Sequence, residues 1–212
     1  MPITLVAICV GQPQTRTDPR RGEWTSAIWK RSVSGPIHAG RLGLTGDTVA
    51  NPEAHGGVDK AVLAYSADHA ARWAGELPDL DTAAGAFGEN LSLSGCDERS
   101  VCLGDRVRIG EATFEVSHPR QPCWKLALRH GQPDLPKRTI ATHRTGWYLR
   151  VIDEGEIVAG DIAERIARPH PDWPLSRVAD VFYGHRAADH EREAEELASL
   201  SVLAEAWRET LT

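Results

Sequence analysis

The stretch Arg106-Val107-Arg108-Ile109-Gly110-Glu111-Ala112-Thr113-Phe114-Glu115-Val116 reads as two short strands folded back on each other at Gly110-Glu111. A two-residue connection containing glycine, set between apolar and β-branched segments, is the local signature of a β-hairpin. The same texture extends both ways along the chain. Residues 3–10 read as a first buried strand closed by Gly11, and Leu42-Gly43-Leu44-Thr45-Gly46-Asp47 as apolar pieces cut by glycines. Residues 61–65, 91–93, 101–103, 146–151 and 157–162 continue the pattern of short strands between turn residues. Ser66 reads as the N-cap of one internal helix over 67–76, with Asp68 suited to its positive end. Polar residues 12–22 read as a loop, and 126–144 as either a mobile loop or a short helix. Many short strands with one clear internal helix predict a mainly β fold, a closed or nearly closed barrel that removes exposed strand edges. The regular strand–helix alternation of a doubly wound sheet is absent.

Composition changes after Arg168. Pro169, Pro171 and Pro174 predict a hinge, with Trp173 expected to pin it to the barrel. Beyond Leu175 the apolar residues Val178, Val181 and Phe182, then Leu203 and Trp207, recur at helical spacing, and 187–199 is rich in Ala and Glu. The expected organisation is a β-barrel domain over residues 1–168 and a three-helix extension over 169–212. The acidic run 191–196 reads as a solvated helix face.

Of 212 residues, 30 are acidic and 24 are Lys or Arg, a net charge of −6. That leaves no basic excess to neutralise phosphates, so a nucleic-acid partner is not expected. No apolar run is long enough to span a bilayer, and no leader is evident. The four cysteines, Cys9, Cys96, Cys102 and Cys123, form neither a CxxC pair nor a zinc-type cluster with histidines. A cytoplasmic protein with reduced thiols and no membrane partner is expected.

The hairpin delivers the chain into Ser117-His118-Pro119-Arg120-Gln121-Pro122-Cys123-Trp124-Lys125. Each proline fixes its own φ and pushes the preceding residue toward extended geometry, so Cys123 stands on a stiff loop. Arg120 and Lys125 favour its thiolate, the form that attacks electrophiles or binds soft metals. The competing reading is a buried cysteine acting as a small hydrophobe. Upstream, His55-Gly56-Gly57-Val58-Asp59-Lys60 is open to two readings: an anion nest of free backbone N–H groups, or a turn leading into the next strand. Phe87-Gly88-Glu89-Asn90-Leu91 offers a carboxylate and an amide that both donates and accepts.

Taken with Ser34-Gly35-Pro36, Leu44-Thr45-Gly46-Asp47, Leu103-Gly104-Asp105, Thr145-Gly146-Trp147-Tyr148 and Gly160-Asp161, these passages resemble the motifs of MOSC domains in order and spacing. MOSC domains are named after the C-terminal domain of molybdenum cofactor sulfurase. The chain is most similar to the stand-alone bacterial YiiM type, over about residues 27–166, and its tail to the three-helix extension of that type. The resemblance implies a β-barrel holding a molybdenum–pyranopterin cofactor, with Cys123, the cysteine of Pro-Arg-x-Pro-Cys, as the ligand to molybdenum. It also implies a reductase that converts N-hydroxylated compounds, such as hydroxylaminopurines, to the parent amine. The cysteines are not clustered as iron–sulfur ligands, so the electrons are expected from a separate reductase.

On that resemblance Lys30, Arg31, Arg120 and Lys125 are candidates for the cofactor's terminal phosphate. The turn His55-Gly56-Gly57 lines its pocket, Asn90 hydrogen-bonds the pterin, and Asp59 orients neighbouring donors. His55 or His118 is the candidate proton donor to the leaving hydroxyl, because imidazole titrates near neutral pH. Two other classes fit the same cysteine. One is a non-redox cofactor carrier or sulfur-transfer module, with a persulfide on Cys123. The other is a cysteine hydrolase with His118 or His143 as base.

Overall fold

The computed structural model describes residues 2–184 and 191–212. The first half carries strands β1 (Ile3–Val10), β2 (Gln14–Asp18), β3 (Gly22–Ser26), β4 (Arg31–Val33), β5 (Ile37–Gly40) and β6 (Gly43–Leu44). Helix α1 (Pro52–His55), strand β7 (Val62–Ser66), helix α2 (His69–Glu76) and strand β8 (Leu91–Ser94) follow. Next come β9 (Arg106–Ile109), β10 (Ala112–Pro119), α3 (Trp124–His130), α4 (Leu135–Ala141), β11 (Trp147–Asp153), β12 (Gly155–Ile157) and β13 (Ile162–Ala167). The chain ends in α5 (Leu175–Gly184), α6 (Glu191–Ser199) and α7 (Glu205–Leu211).

The predicted barrel is present. Strands pair in the order β13-β9-β10-β11-β7-β8-β1, and β1 closes the ring on β13 through Ile3–Ala163 and Thr4–Ile162. Strand β4 lies against the outer stretch of β1, and β7 runs parallel to β8. Leu5, Ile8, Leu91, Phe114 and Trp147 fill the interior with almost no exposure. Each such side chain contributes roughly 1.5–3 kcal/mol of burial. The hairpin between β9 and β10 turns at Gly110, whose φ of 54° and 2.5 Å approach of an added Cβ to the Glu156 carbonyl leave room for glycine alone.

Several local expectations change, and one open alternative is decided. Residues 12–22, expected as a loop, form the hairpin β2–β3, with Thr15 and Thr25 hydroxyls paired at 2.9 Å and Asp18 accepting the Arg20 and Arg21 N–H groups at the turn. The hairpin lies mostly outside the core, so no apolar alternation marks it. Ser66 is not a helix cap: it ends β7 and its buried hydroxyl donates to the Cys96 carbonyl at 2.6 Å, while the helix starts after Asp68. A tertiary acceptor has outcompeted the local one. Residues 126–144 contain most of α3 and all of α4, divided at Gly131 in the left-handed region.

The tail forms helices as expected, although residues 187–190 of the Ala/Glu-rich stretch lie outside the described residues. Trp173, Val178, Phe182, Leu197, Leu203 and Trp207 share a core with Leu103 of the barrel side. Trp173 is buried, and its carbonyl accepts the Leu103 N–H at 2.9 Å.

Candidate functional site

A cleft of about 650 Å³, counting its open mouth, lies where β7 and β8 begin and β10 ends. Cys123, Arg120, Lys125, His55, Lys60 and Tyr148 line it, together with Lys30, Asp47 and Asn90. Cys123 is half-buried, extended, and sits immediately before α3. Cys123 thus lies at the cleft rather than in the barrel core.

Cations surround this sulfur. Arg120 is buried, donates Nη1 to the Phe87 carbonyl at 2.7 Å and its N–H to the Gly146 carbonyl at 2.9 Å. Lys125 donates Nζ to the Thr25 carbonyl at 3.0 Å, which ties α3 to the β2–β3 hairpin. Lys60 donates Nζ to the Ala54 carbonyl at 2.8 Å and so clamps α1. His55 lies among all three, and its pKa is lowered by burial first, then by Lys125, Lys60 and Arg120. Three cations round a partly buried imidazole make a cradle for an anion.

Lys30 is engaged differently. It forms a buried ion pair with Asp47 at 2.5 Å, and burial lowers its pKa against the opposing pull of that carboxylate. Asp47 also accepts the Gly11 N–H at 2.8 Å and the Asn90 Nδ2 at 2.9 Å. Asn90 in turn accepts the Leu63 N–H at 3.1 Å and donates to the Cys9 carbonyl at 3.2 Å. Its amide thus joins β1, β7 and the Asp47 loop at the cleft floor.

Other expected residues lie elsewhere. Arg31 is exposed on β4, opposite Val10, and does not line the cleft. Gly56 and Gly57 also stand outside the lining. The Gly56 N–H is taken by the Pro52 carbonyl at 2.9 Å and so is not available to a nest. Asp59 faces the tail, accepting Arg150 Nε at 2.7 Å and the Glu205 N–H at 3.2 Å. Burial raises its carboxyl pKa, but the Arg150 hydrogen bond and charge outweigh that and the net shift is downward. His118 is fully buried behind the cleft wall. Its Nδ1 meets Ser117 Oγ at 2.9 Å, and its ring stacks on Tyr148 at 5.1 Å and meets Trp207 at 5.4 Å. Burial, then the Lys60 charge, pushes its pKa down to about 3.

Lys60, which flanks the candidate anion nest in the sequence, lines the cleft, and so do Asp47 and Tyr148, which were assigned no role from sequence. Asp47 closes the Leu44-Thr45-Gly46-Asp47 motif and Tyr148 ends Thr145-Gly146-Trp147-Tyr148, so motif membership was the available signal. Outside the cleft, Trp24, Trp29 and Trp124 cluster at 5.1 and 5.3 Å, with Arg16 over Trp29 and Arg21 over Trp124. They seat the hairpin beside the cysteine loop.

The donor set suits a soft metal that brings its own remaining ligands. A single thiol reaches the cleft, cations stand ready for an anionic group, and no cluster of three or more His, Cys, Asp or Glu able to hold a bare ion occurs among the described residues. A molybdenum pyranopterin, which carries sulfur ligands and a phosphate, meets that description.

A closed barrel with a cysteine on the loop between one strand and a helix, beside a cationic cleft, is the architecture expected of MOSC domains. The MOSC domain model matches residues 51–164, and the chain belongs to that family. It is 36% identical over 188 residues to protein YiiM of Escherichia coli (strain K12), covering 88% of this chain and 83% of that protein. The crystal structure of YiiM from Geobacillus stearothermophilus superposes with a TM-score of 0.82 at 35% identity, covering 99% of this chain and 97% of the other. A protein named Reductase from Gibberella moniliformis (strain M3125 / FGSC 7600) is 41% identical over 165 residues, 76% of this chain. The match spans only 29% of that longer protein. No helix among the described residues is long and apolar enough to cross a membrane.

Proposed function

We propose that this protein is a molybdenum-cofactor-dependent reductase of N-hydroxylated compounds, supplied with electrons by a separate donor protein. The observation that carries the reading is the Cys123 thiol opening into a cleft ringed by Lys60, Arg120 and Lys125. Cys123 as thiolate is the metal ligand. Lys60, Arg120 and Lys125 hold the anionic end of the cofactor, and the Arg120 and Lys125 side chains are already oriented by the Phe87 and Thr25 carbonyls. The Lys30–Asp47–Asn90 network fixes the cleft floor rather than offering a free cation. When bound, the cofactor supplies two-electron redox chemistry. The reaction balances as R–NH–OH plus two electrons and two protons giving R–NH2 and water. The Gibberella relative named Reductase supports the enzymatic class.

The test is expression in a host that makes the cofactor, followed by molybdenum-to-protein stoichiometry and assay of 6-hydroxylaminopurine with reduced methyl viologen. Bound molybdenum and formation of adenine are expected. Protein that carries molybdenum and yields no adenine would be a cofactor carrier instead, and protein without molybdenum would overturn the reading entirely.

A further inference from the structure

Tyr148 stands apart from the hydrogen-bonded cations, carboxylate and amide of the cleft. Arg120, Lys125, Lys60, Lys30, Asp47 and Asn90 are each held by a protein partner. The Tyr148 main chain is fixed in β11 opposite Leu63 and His118, and its carbonyl accepts Ser117 Oγ at 3.1 Å. Its ring stacks on buried His118 at 5.1 Å, with Trp207 beyond. The phenolic oxygen, in contrast, has no hydrogen-bond partner among the described residues. Burial raises its pKa, with the Arg120 charge opposing that shift, so the hydroxyl keeps its proton. A rigidly backed hydroxyl, on a residue that lines the same cleft as Cys123 and left without a partner among the described residues, is unspent hydrogen-bonding capacity.

We propose that Tyr148 is a catalytic residue: its O–H hydrogen-bonds the N-hydroxyl oxygen of the substrate and protonates that oxygen as it departs as water. The inference rests on the reductase reading above. The N–O bond breaks and nitrogen is reduced by two electrons drawn from the donor, reduced methyl viologen in the assay. One proton passes from Tyr148 to oxygen, the other reaches nitrogen from solvent, and the phenolate regains its proton through the open mouth. Hydroxide is a far stronger base than phenolate, so transfer to the departing oxygen is downhill. The histidines are less suited. His118 is walled off behind the tyrosine ring, and His55 is pressed toward its neutral form by burial and three neighbouring cations.

Tyr148→Phe keeps the ring and its stack on His118, so the test isolates one oxygen atom. With loaded protein and reduced methyl viologen, the variant should lose about 100-fold in kcat on benzamidoxime, within the ~10²–10⁴ supplied by a positioned acid. On O-acetylbenzamidoxime, whose leaving acetate needs no proton, it should stay within about twofold of the wild type. Molybdenum content and melting temperature should be unchanged. A second readout needs no turnover: tryptophan fluorescence titration of the oxidised protein should show about fivefold tighter binding of 6-hydroxylaminopurine than of adenine, lost in Tyr148→Phe. Equal losses on both amidoximes would mean a packing role, and no loss on either would mean no role; each overturns the proposal. A molybdenum-loaded wild type inert toward both compounds would instead overturn the reductase reading, and this inference with it.

Discussion

Strands β10 and β11 serve two regions of opposite chemistry. On the tail side they present His118 to a stack in which the Trp207 ring centroid lies 3.8 Å from that of Phe182 and 5.4 Å from that of His118. On the cleft side the same strands and their extensions present Tyr148, Arg120 and Cys123 to open space. The tail region gains stability in the ordinary way, by burying aromatic area. The cleft gathers partly desolvated cations, each of which costs free energy unless partnered. Here carbonyls and one carboxylate are placed to offset that cost. Charge assembled against stability, beside a cysteine, is the ground on which we propose the cleft as the working region and the tail core as its support.

The contrast can be broken or sharpened by experiment, ordered here by loss of folding stability. Trp207→Ala should destabilise the protein most, by about 3–5 kcal/mol, seen as a shift in urea midpoint. The molybdenum content of the molecules that remain folded should hold; a parallel fall would mean that the two regions act as one. The burial of His118 should appear as acid sensitivity. Folded His118 titrates near 3 against an ordinary 6.5, so between those values the unfolded chain binds more protons. Its contribution is complete above pH 6.5 and is lost as pH falls toward 3, at up to ~1.4 kcal/mol per pH unit. Denaturant titrations at several pH values should show that slope flattened in His118→Phe.

Cys123→Ser should change stability by no more than about 0.5 kcal/mol, since the thiol borders a cavity rather than filling a core. Its molybdenum content should nevertheless fall to background; retained metal with a thiolate signature would remove Cys123 from the site. Least disturbing to the fold is the double change Lys60→Ala with Lys125→Ala, whose Nζ groups hold only surface carbonyls. Melting should barely move, while cofactor loss on dialysis should quicken, more at low salt than at high salt, because screening already weakens the wild-type attraction. Unchanged retention would remove these two lysines from the anion cradle.

Several features were legible because they are local. The turn at Gly110, the apolar strands β1 and β10, the three helical stripes of the tail and the proline-stiffened cysteine loop each follow from neighbours a few residues apart. The hairpin β2–β3 was hidden because its residues face solvent and carry no alternation, and Ser66 misled because its hydroxyl found Cys96 rather than its own helix.

By itself the sequence determined a closed barrel with a helical tail and a cysteine presented on a rigid loop. Only the tertiary structure decided which side of the wall each residue occupies. His118 and Tyr148 pair across β10 and β11 and stack on each other, with His118 reaching the Trp207 ring of the tail and Tyr148 bordering the cleft. Lys30 lost its freedom to Asp47, Asp59 turned to Arg150, and Arg31 pointed away. A strand's period of two says that neighbours face opposite ways. Which way is inward is settled when distant segments close the ring, and that closure is a contact between β1 and β13 at the two ends of the barrel sequence.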